Sequence, residues 1–428
     1  MAGPAALMLA GALVLSACGH GAPRSTAVRS RSSRSTASAP STTHSAPSAS
    51  SPSTASCVTD STPSAAGEVA PGAAAVELVS GSTGWVAGAG RILATTDGGV
   101  HWTVQLTTAA DFGEVDFLST STGWAVAAHE LLVTTDGGQC WQKLAEPSLG
   151  DLRMVHFVSD TTGFGVAGGT IVLDPASASA NADEGFSGPF APVDPRTGGV
   201  LVETTDGGHR WSPVPTAPRN AQSVCFVDAT TGWLGAGGGL YRSVDGGRQW
   251  SEVADPGASS GAAPDGNDIA RVGCGAPDQV WVASDTGGVA AGTSPWAVFA
   301  STSGTGARLL QADMYPGAVP APPGTPGSYP GPISVIGAGL AAVGGFTPAA
   351  TVGQMARVEV LDANGQVLSP ARGVAGLAEP VGLAFLSASE GWVVGVATSH
   401  GNPDFEAGVI ERTTDGGRTW TVQRRIGP

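Results

Sequence analysis

The chain has 428 residues, 64 of them Gly and 31 Pro, and a formal net charge of −15. Segments without these helix breakers are short, which excludes a helical bundle and leaves one large β domain with accessory segments. The first 59 residues hold four Arg and no Asp or Glu, so the remainder carries −19; that balance argues against a nucleic-acid partner and suits the solubility of an exported domain.

Residues 1–17 contain an apolar run of about a dozen residues, shorter than the ~20 needed to cross a bilayer and suited to a signal h-region. The run ends in "LSAC", which resembles the lipobox of bacterial lipoproteins; the resemblance implies a lipidated Cys18 as mature N-terminus. The opening "MAGP" departs from that pattern, having no Lys or Arg. Residues 18–72 are rich in Ser, Thr, Ala and Pro, a composition that cannot bury a core, so a disordered tether is expected there. The four remaining cysteines are Cys57, Cys140, Cys225 and Cys274, with three pairings open. Cys225 and Cys274 occupy similar places in neighbouring repeats and form the first pair to try. No two cysteines have zinc-ligand spacing.

Residues 73–428 carry a two-part repeat. An octet, "TTDGGVHW" in its first copy, recurs five times and places Asp97 and Trp102, Asp136 and Trp141, Asp206 and Trp211, Asp245 and Trp250, and Asp415 and Trp420 in matching positions. Upstream of each lies a short "TGW"-like anchor, ending at Trp85, Trp124, Phe164, Trp233 and Trp392. Three copies separate anchor aromatic from octet Asp by 12 residues, and two intervals between octets are 39 residues. Short apolar or alternating runs such as "EVDFL", "GWAVAA" and "LLVTT" surround the anchors, bounded by turn residues. Four such strands in about 40 residues describe a propeller blade. The longer intervals hold an insertion and two degenerate blades, with Ser303 and Asp362 near the octet Asp position. The fold class predicted is therefore all-β: a seven-bladed β-propeller of four-stranded antiparallel blades, near residues 73–106, 112–145, 152–214, 221–253, 268–311, 333–368 and 380–424.

The pattern S/T-x-D-x-G-x-x-W resembles the Asp-box, or BNR repeat, of sialidases, sortilin-type receptors and photosystem II stability and assembly factors. The added "GW" anchor is most similar to the last group. That resemblance implies a protein-binding propeller and leaves function open, since the repeat occurs on enzymes and binding proteins alike.

Each octet has one carboxylate, not the alternating oxygens of a calcium loop, so no metal is expected; no cofactor is implied either. A structural role covers every position: Asp accepts from the backbone of its own turn, the Gly pair permits positive φ, and Trp begins the last strand and inserts between sheets. A sialidase is argued against by the three tyrosines, Tyr241, Tyr315 and Tyr329, and by "GRIL" lacking the expected proline. No nucleophile elbow or phosphate loop is present, and no catalytic residue is assigned. His129, His156 and His400 read as isolated surface residues.

The octet is the turn between third and fourth strands. Segments 174–199, 254–267, 285–295, 312–332 and 398–408 are insertions that should emerge on the opposite face, where loops on a rigid scaffold bind. That face would offer Phe186, Phe190, Trp296, Tyr315, Tyr329 and Phe405 among loop acids. The expectation is a non-enzymatic scaffold, exported and lipid-anchored outside a bacterial cell membrane, whose partner is an envelope or secreted protein. The alternative is a carbohydrate-active propeller, glycosidase or lectin, with a glycan as ligand.

Overall fold

Four short strands and a tight turn recur seven times among the described residues. The computed structural model describes residues 56–60, 75–110, 112–127, 130–144, 152–168, 199–254, 268–285, 296–313, 326–327, 329–337, 339–347, 356–399 and 402–426, all within one compact unit, Thr54–Pro428. Blade one comprises β1 (Ala75–Leu78), β2 (Gly84–Gly88), β3 (Arg91–Thr95) and β4 (Thr103–Thr107). Blade two comprises β5 (Phe112–Phe117), β6 (Gly123–Ala127), β7 (Glu130–Thr134) and β8 (Gln142–Leu144). Blade three has β9 (Leu152–Phe157), β10 (Gly163–Ala167), β11 (Val200–Thr204) and β12 (Ser212–Pro213). Blade four has β13 (Ala221–Phe226), β14 (Gly232–Ala236), β15 (Gly239–Ser243) and β16 (Ser251–Ala254). Blades five, six and seven are β17 (Asp268–Ala276), β18 (Gln279–Asp285), β19 (Trp296–Ser301) and β20 (Arg308–Asp313); β21 (Tyr329–Val335), β22 (Leu340–Phe346), β23 (Ala356–Asp362) and β24 (Val367–Gly373); and β25 (Leu377–Phe385), β26 (Gly391–Ser399), β27 (Asn402–Thr413) and β28 (Thr421–Ile426).

Within each sheet the strands pair in chain order, and every described pairing is antiparallel. The first strand of each blade touches that of the next, and β25 returns to β1, so seven innermost strands surround one axis. The fold is thus a seven-bladed β-propeller, as the two-anchor repeat predicts.

The octets hold the third and fourth strands together. In the first, Thr95 Oγ1 donates to Asp97 Oδ1 (3.0 Å) and accepts from Gly99 N (2.8 Å), while Asp97 Oδ1 accepts from His101 N (2.9 Å). The same three bonds recur around Asp136, Asp206, Asp245 and Asp415. Both octet glycines have positive φ, 74° and 87° in the first copy, which an L side chain adopts only with strain. The first glycine also donates to a carbonyl of the preceding turn, Gly98 N to Ser82 O at 2.9 Å. Octet and anchor are therefore two halves of one fastening. Degenerate blades keep part of it: Gly304 donates to Asp278 O and Ala363 to Gly339 O, and Asp362 Oδ1 accepts from Gln366 N, four residues on, at 2.9 Å.

The "GW" anchor couples blades. Trp85 stacks on Phe117 of the next blade at 3.5 Å between ring centroids, and Phe117 meets the octet Trp141 edge-on at 5.9 Å. Trp124, Phe157 and Trp211 repeat the triplet, as do Phe164, Phe226 and Trp250. The anchor glycine follows from this packing: a Cβ on Gly123 would stand 2.3 Å from the Phe117 ring, and on Gly232 2.5 Å from Phe226. Trp102, Trp141 and Trp211 are buried; Trp250 and Trp420 are half-buried. Blade seven supplies all four of its own strands, and its join to blade one is a cluster of Val86, Leu93, Trp102, Trp392, Val394 and Ile410.

Two expectations are corrected here. Residues 56–60, assigned to the tether, dock on the propeller: Cys57 is disulfide-bonded to Cys140, Val58 N donates to Trp141 O (2.7 Å), and Thr107 N donates to Asp60 Oδ1 (2.9 Å). Val58 also packs into the core between blades one and two. Segment 398–408, expected as a loop, instead prolongs the β26–β27 hairpin, with Ser399 opposite Asn402.

Candidate functional site: the axial channel

The innermost strand of a blade has no strand on its axial side, so alternate backbone N–H groups need another acceptor. Side chains from the preceding blade supply it in two tiers. In the lower tier Glu77 accepts from Phe117 N (2.6 Å), Asp116 from Phe157 N (2.6 Å) and Ser334 from Phe385 N (2.8 Å). In the upper tier, two residues nearer the strand start, Glu114 accepts from Val155 N (3.0 Å) and Ser223 from Val272 N (3.0 Å). His156 Nε2 lies 2.6 Å from Phe226 O, linking blades three and four; it is half-buried on the axial strand and not an isolated surface residue. At the same lower-tier position Cys225 is disulfide-bonded to Cys274 of the next blade, a covalent form of the same link.

This arrangement gathers Glu77, Glu114, Asp116, Arg153, His156 and Arg271, all half-buried, around the axis. Burial and the neighbouring Asp116 charge push Glu77 well above the usual carboxylate range, against the bond from Phe117. Glu114 rises to about 8, through burial first and Asp116 second, with Arg271 opposing. Burial also raises Asp116, His156 opposing. On blade seven Glu379, 9 % exposed, is pushed up to about 7 by burial. Burial lowers both Arg153 and Arg271; the charge of Arg271 adds to the effect on Arg153, and Glu114 opposes that on Arg271. Sequence reasoning missed this set. Its signal was present in "GEVDF", where alternate positions of a first strand are acidic before its closing Phe, and in "RMVHF", where Arg153 and His156 interrupt an apolar first strand.

The octet carboxylates carry no comparable polarisation. Asp97 and Asp415 are held down to about 2 by hydrogen bonds from His101 and Thr419 respectively. They sit in separate blades, Asp97 exposed and Asp415 half-buried, and accept from their own turns. No group of three or more His, Cys, Asp or Glu able to hold a metal ion occurs among the described residues.

Of the aromatic residues expected on the insertion face, Trp296 is placed differently. It opens β19 at 0 % exposure, packs in the core between blades five and six, and donates from Nε1 to Gly327 O (3.0 Å). A strand-opening residue whose side chain turns into the interblade core is not available to a partner. Tyr329 is half-buried and stacks on Phe346 at 5.1 Å. Phe405 lies on β27 opposite Thr398. Phe186, Phe190 and Tyr315 lie outside the described residues, as do Cys18, residues 174–198 of the insertion 174–199, and residues 314–325.

No protein-family model and no curated sequence matches the chain. Among solved structures it is similar to YCF48 bound to D1 peptide, at 15 % identity and a TM-score of 0.47, over 76 % of this chain and 91 % of that one. It is also similar to YCF48 from Cyanidioschyzon merolae, at 14 % identity and TM-score 0.38, over 82 % and 85 %. An ancestral GH74 enzyme shares 13 % identity at TM-score 0.47, over 82 % of this chain and 55 % of that one. Likeness at this distance bears on no activity of the present chain.

Proposed function

We propose that this chain is a non-enzymatic binding scaffold, carried outside a bacterial membrane by a lipidated Cys18 and engaging an envelope or secreted protein through the face opposite the octets. The supporting observation is where the repeated polar groups are used. All five octet Asp residues accept from the N–H four residues on, and all five Ser/Thr hydroxyls are engaged in the same turn. The motif that recurs is therefore a fastener, and recognition falls to the connections that do not recur. Fixed strand ends presenting variable connections are the usual arrangement of a binding protein.

Deleting 174–198 and 316–325 in separate variants, which leaves Gly199, Gly327 and β21 intact, tests this directly. Loss of a co-purified partner in either variant, with the propeller's melting temperature retained, is the expected result. Retention of the same partners by both refutes the assignment of the face. A hydrolysis screen with a glycan array addresses the carbohydrate alternative: turnover abolished by one Asp→Asn or Glu→Gln change on that face would replace the scaffold reading with an enzyme.

A further inference from the structure

The strap at residues 56–60 is held to the rim of blades one and two by few groups. Val58 N donates to Trp141 O at 2.7 Å, and Thr107 N donates to Asp60 Oδ1 at 2.9 Å. Val58 is half-buried and packs against the cluster that contains Leu106, Phe117 and Trp141. Ser56, Cys57, Thr59 and Asp60 are exposed. Fixing a five-residue backbone segment costs more conformational entropy than two hydrogen bonds and one half-buried side chain return. The strap is therefore seated by its covalent link, Cys57–Cys140.

That link is placed unlike the second disulfide. Cys225–Cys274 joins the innermost strands β13 and β17, and Cys225 is 8 % exposed. Cys57 is exposed and Cys140 half-buried, in the octet turn that precedes β8. Exchange requires a thiolate to reach a disulfide sulfur, so access decides which bridge reacts. The consequences of cleavage differ as well. With the axial bridge cut, β13 and β17 stay in their own sheets and Ser223 still accepts from Val272 N. With the outer bridge cut, the strap belongs to no sheet that would retain it.

We propose that Cys57–Cys140 is a redox latch: thiol–disulfide exchange with a dithiol reductant opens it and lifts the strap while the propeller stays folded. One thiolate of the reductant attacks Cys57 Sγ, forming a mixed disulfide and expelling the Cys140 thiolate, which takes up a proton. The second thiol then attacks the reductant's sulfur in that mixed disulfide, closing a cyclic disulfide and releasing Cys57 as a thiol. The bridge gains two electrons and two protons, and the dithiol loses the same. Lifting the strap bares Trp141 O, Thr107 N and the seat of Val58 beside β4 and β8. It also moves the first attachment of the preceding chain from Cys57 to β1, which begins at Ala75. The latch is independent of the scaffold reading, since its opening needs no bound partner.

The test treats the folded full chain with dithiothreitol and follows each cysteine by iodoacetamide alkylation and mass spectrometry. Cys57 and Cys140 should become alkylated at least tenfold faster than Cys225 and Cys274. Hydrogen exchange of the reduced, unalkylated chain gives a second reading that needs no variant to fold. The amides of Val58 and Thr107 should lose protection, while those of Gly208 and Gly247, bonded within their octets, keep it. Reoxidation with oxidised glutathione should restore protection at Val58 and Thr107. Equal alkylation rates at the two bridges would overturn the proposal. So would protection retained at Val58 and Thr107 after reduction, or protection lost at Gly208 and Gly247 together with the strap.

Discussion

At the scale of single residues, the octet hydroxyl matters more than its carboxylate. Thr134 Oγ1 accepts from the buried N–H of Gly138 at 2.8 Å and donates to Asp136, whose own side chain is exposed. Thr134→Val keeps the shape and leaves that N–H unsatisfied, so urea denaturation should show a loss of about 1–3 kcal/mol. The Asp contribution is distinguished by pH. Because Asp97 and Asp415 are held at about 2, below the usual carboxylate value of about 4, their contribution is present above pH 4 and disappears as pH falls through that interval. Glu411 behaves oppositely. It is fully buried with both carboxyl oxygens unpaired, at the position taken by Leu93, Leu132 and Val202 in other blades, and burial raises it to about 7. A raised acid binds more protons folded than unfolded, so its cost grows from pH 4.5 to about 7 and then levels, at roughly 3 kcal/mol from about 1.4 kcal/mol per pKa unit. Glu411→Leu should raise the melting temperature at pH 8 and change it little at pH 4.5; an equal gain at both values would contradict this account.

At the scale of elements, the interblade stack gives the anchor its sequence. The Phe ending a first strand lies over the anchor glycine of its own blade and under the aromatic of the blade before, so Phe117, Gly123 and Trp85 are one unit. Gly123→Ala should cost about 1–3 kcal/mol by overpacking against that ring, measured by urea denaturation. The axial links give a second test. Glu114→Gln keeps a group that accepts from Val155 and removes a titration raised to about 8, so stability should fall less steeply between pH 5 and 8 than in the parent chain. What was legible in the sequence follows from the same geometry. Octets and anchors recur because every blade needs the same turn and stack, so their spacing reports the blade count. The axial linking residues do not recur as one type: Glu77, Asp116, His156, Cys225 and Ser334 do one linking job with different chemistry, and no repeat pattern could expose them. Trp296 was misplaced because a strand-opening residue beside an insertion looks identical in sequence whether it turns outward or into the interblade core.

At the scale of the molecule, closure rests on side chains. Blade seven meets blade one through Trp392, Trp102 and their aliphatic neighbours, and Arg424 donates to Trp102 O. The N-terminal strap binds blades one and two instead, by a disulfide spanning 83 residues of sequence. In the chain-entropy description a loop of that length contributes about 4–5 kcal/mol, so Cys57→Ser with Cys140→Ser should lower the melting temperature by several degrees. The most direct test of the central claim, that octets fasten blades while recognition lies on the opposite face, is photo-crosslinking of the full chain in cells followed by mass spectrometry. The account predicts partner crosslinks in segments 174–199, 254–267, 314–325 and 398–408; crosslinks concentrated on the octet turns around Asp97, Asp136, Asp206, Asp245 and Asp415 would contradict it.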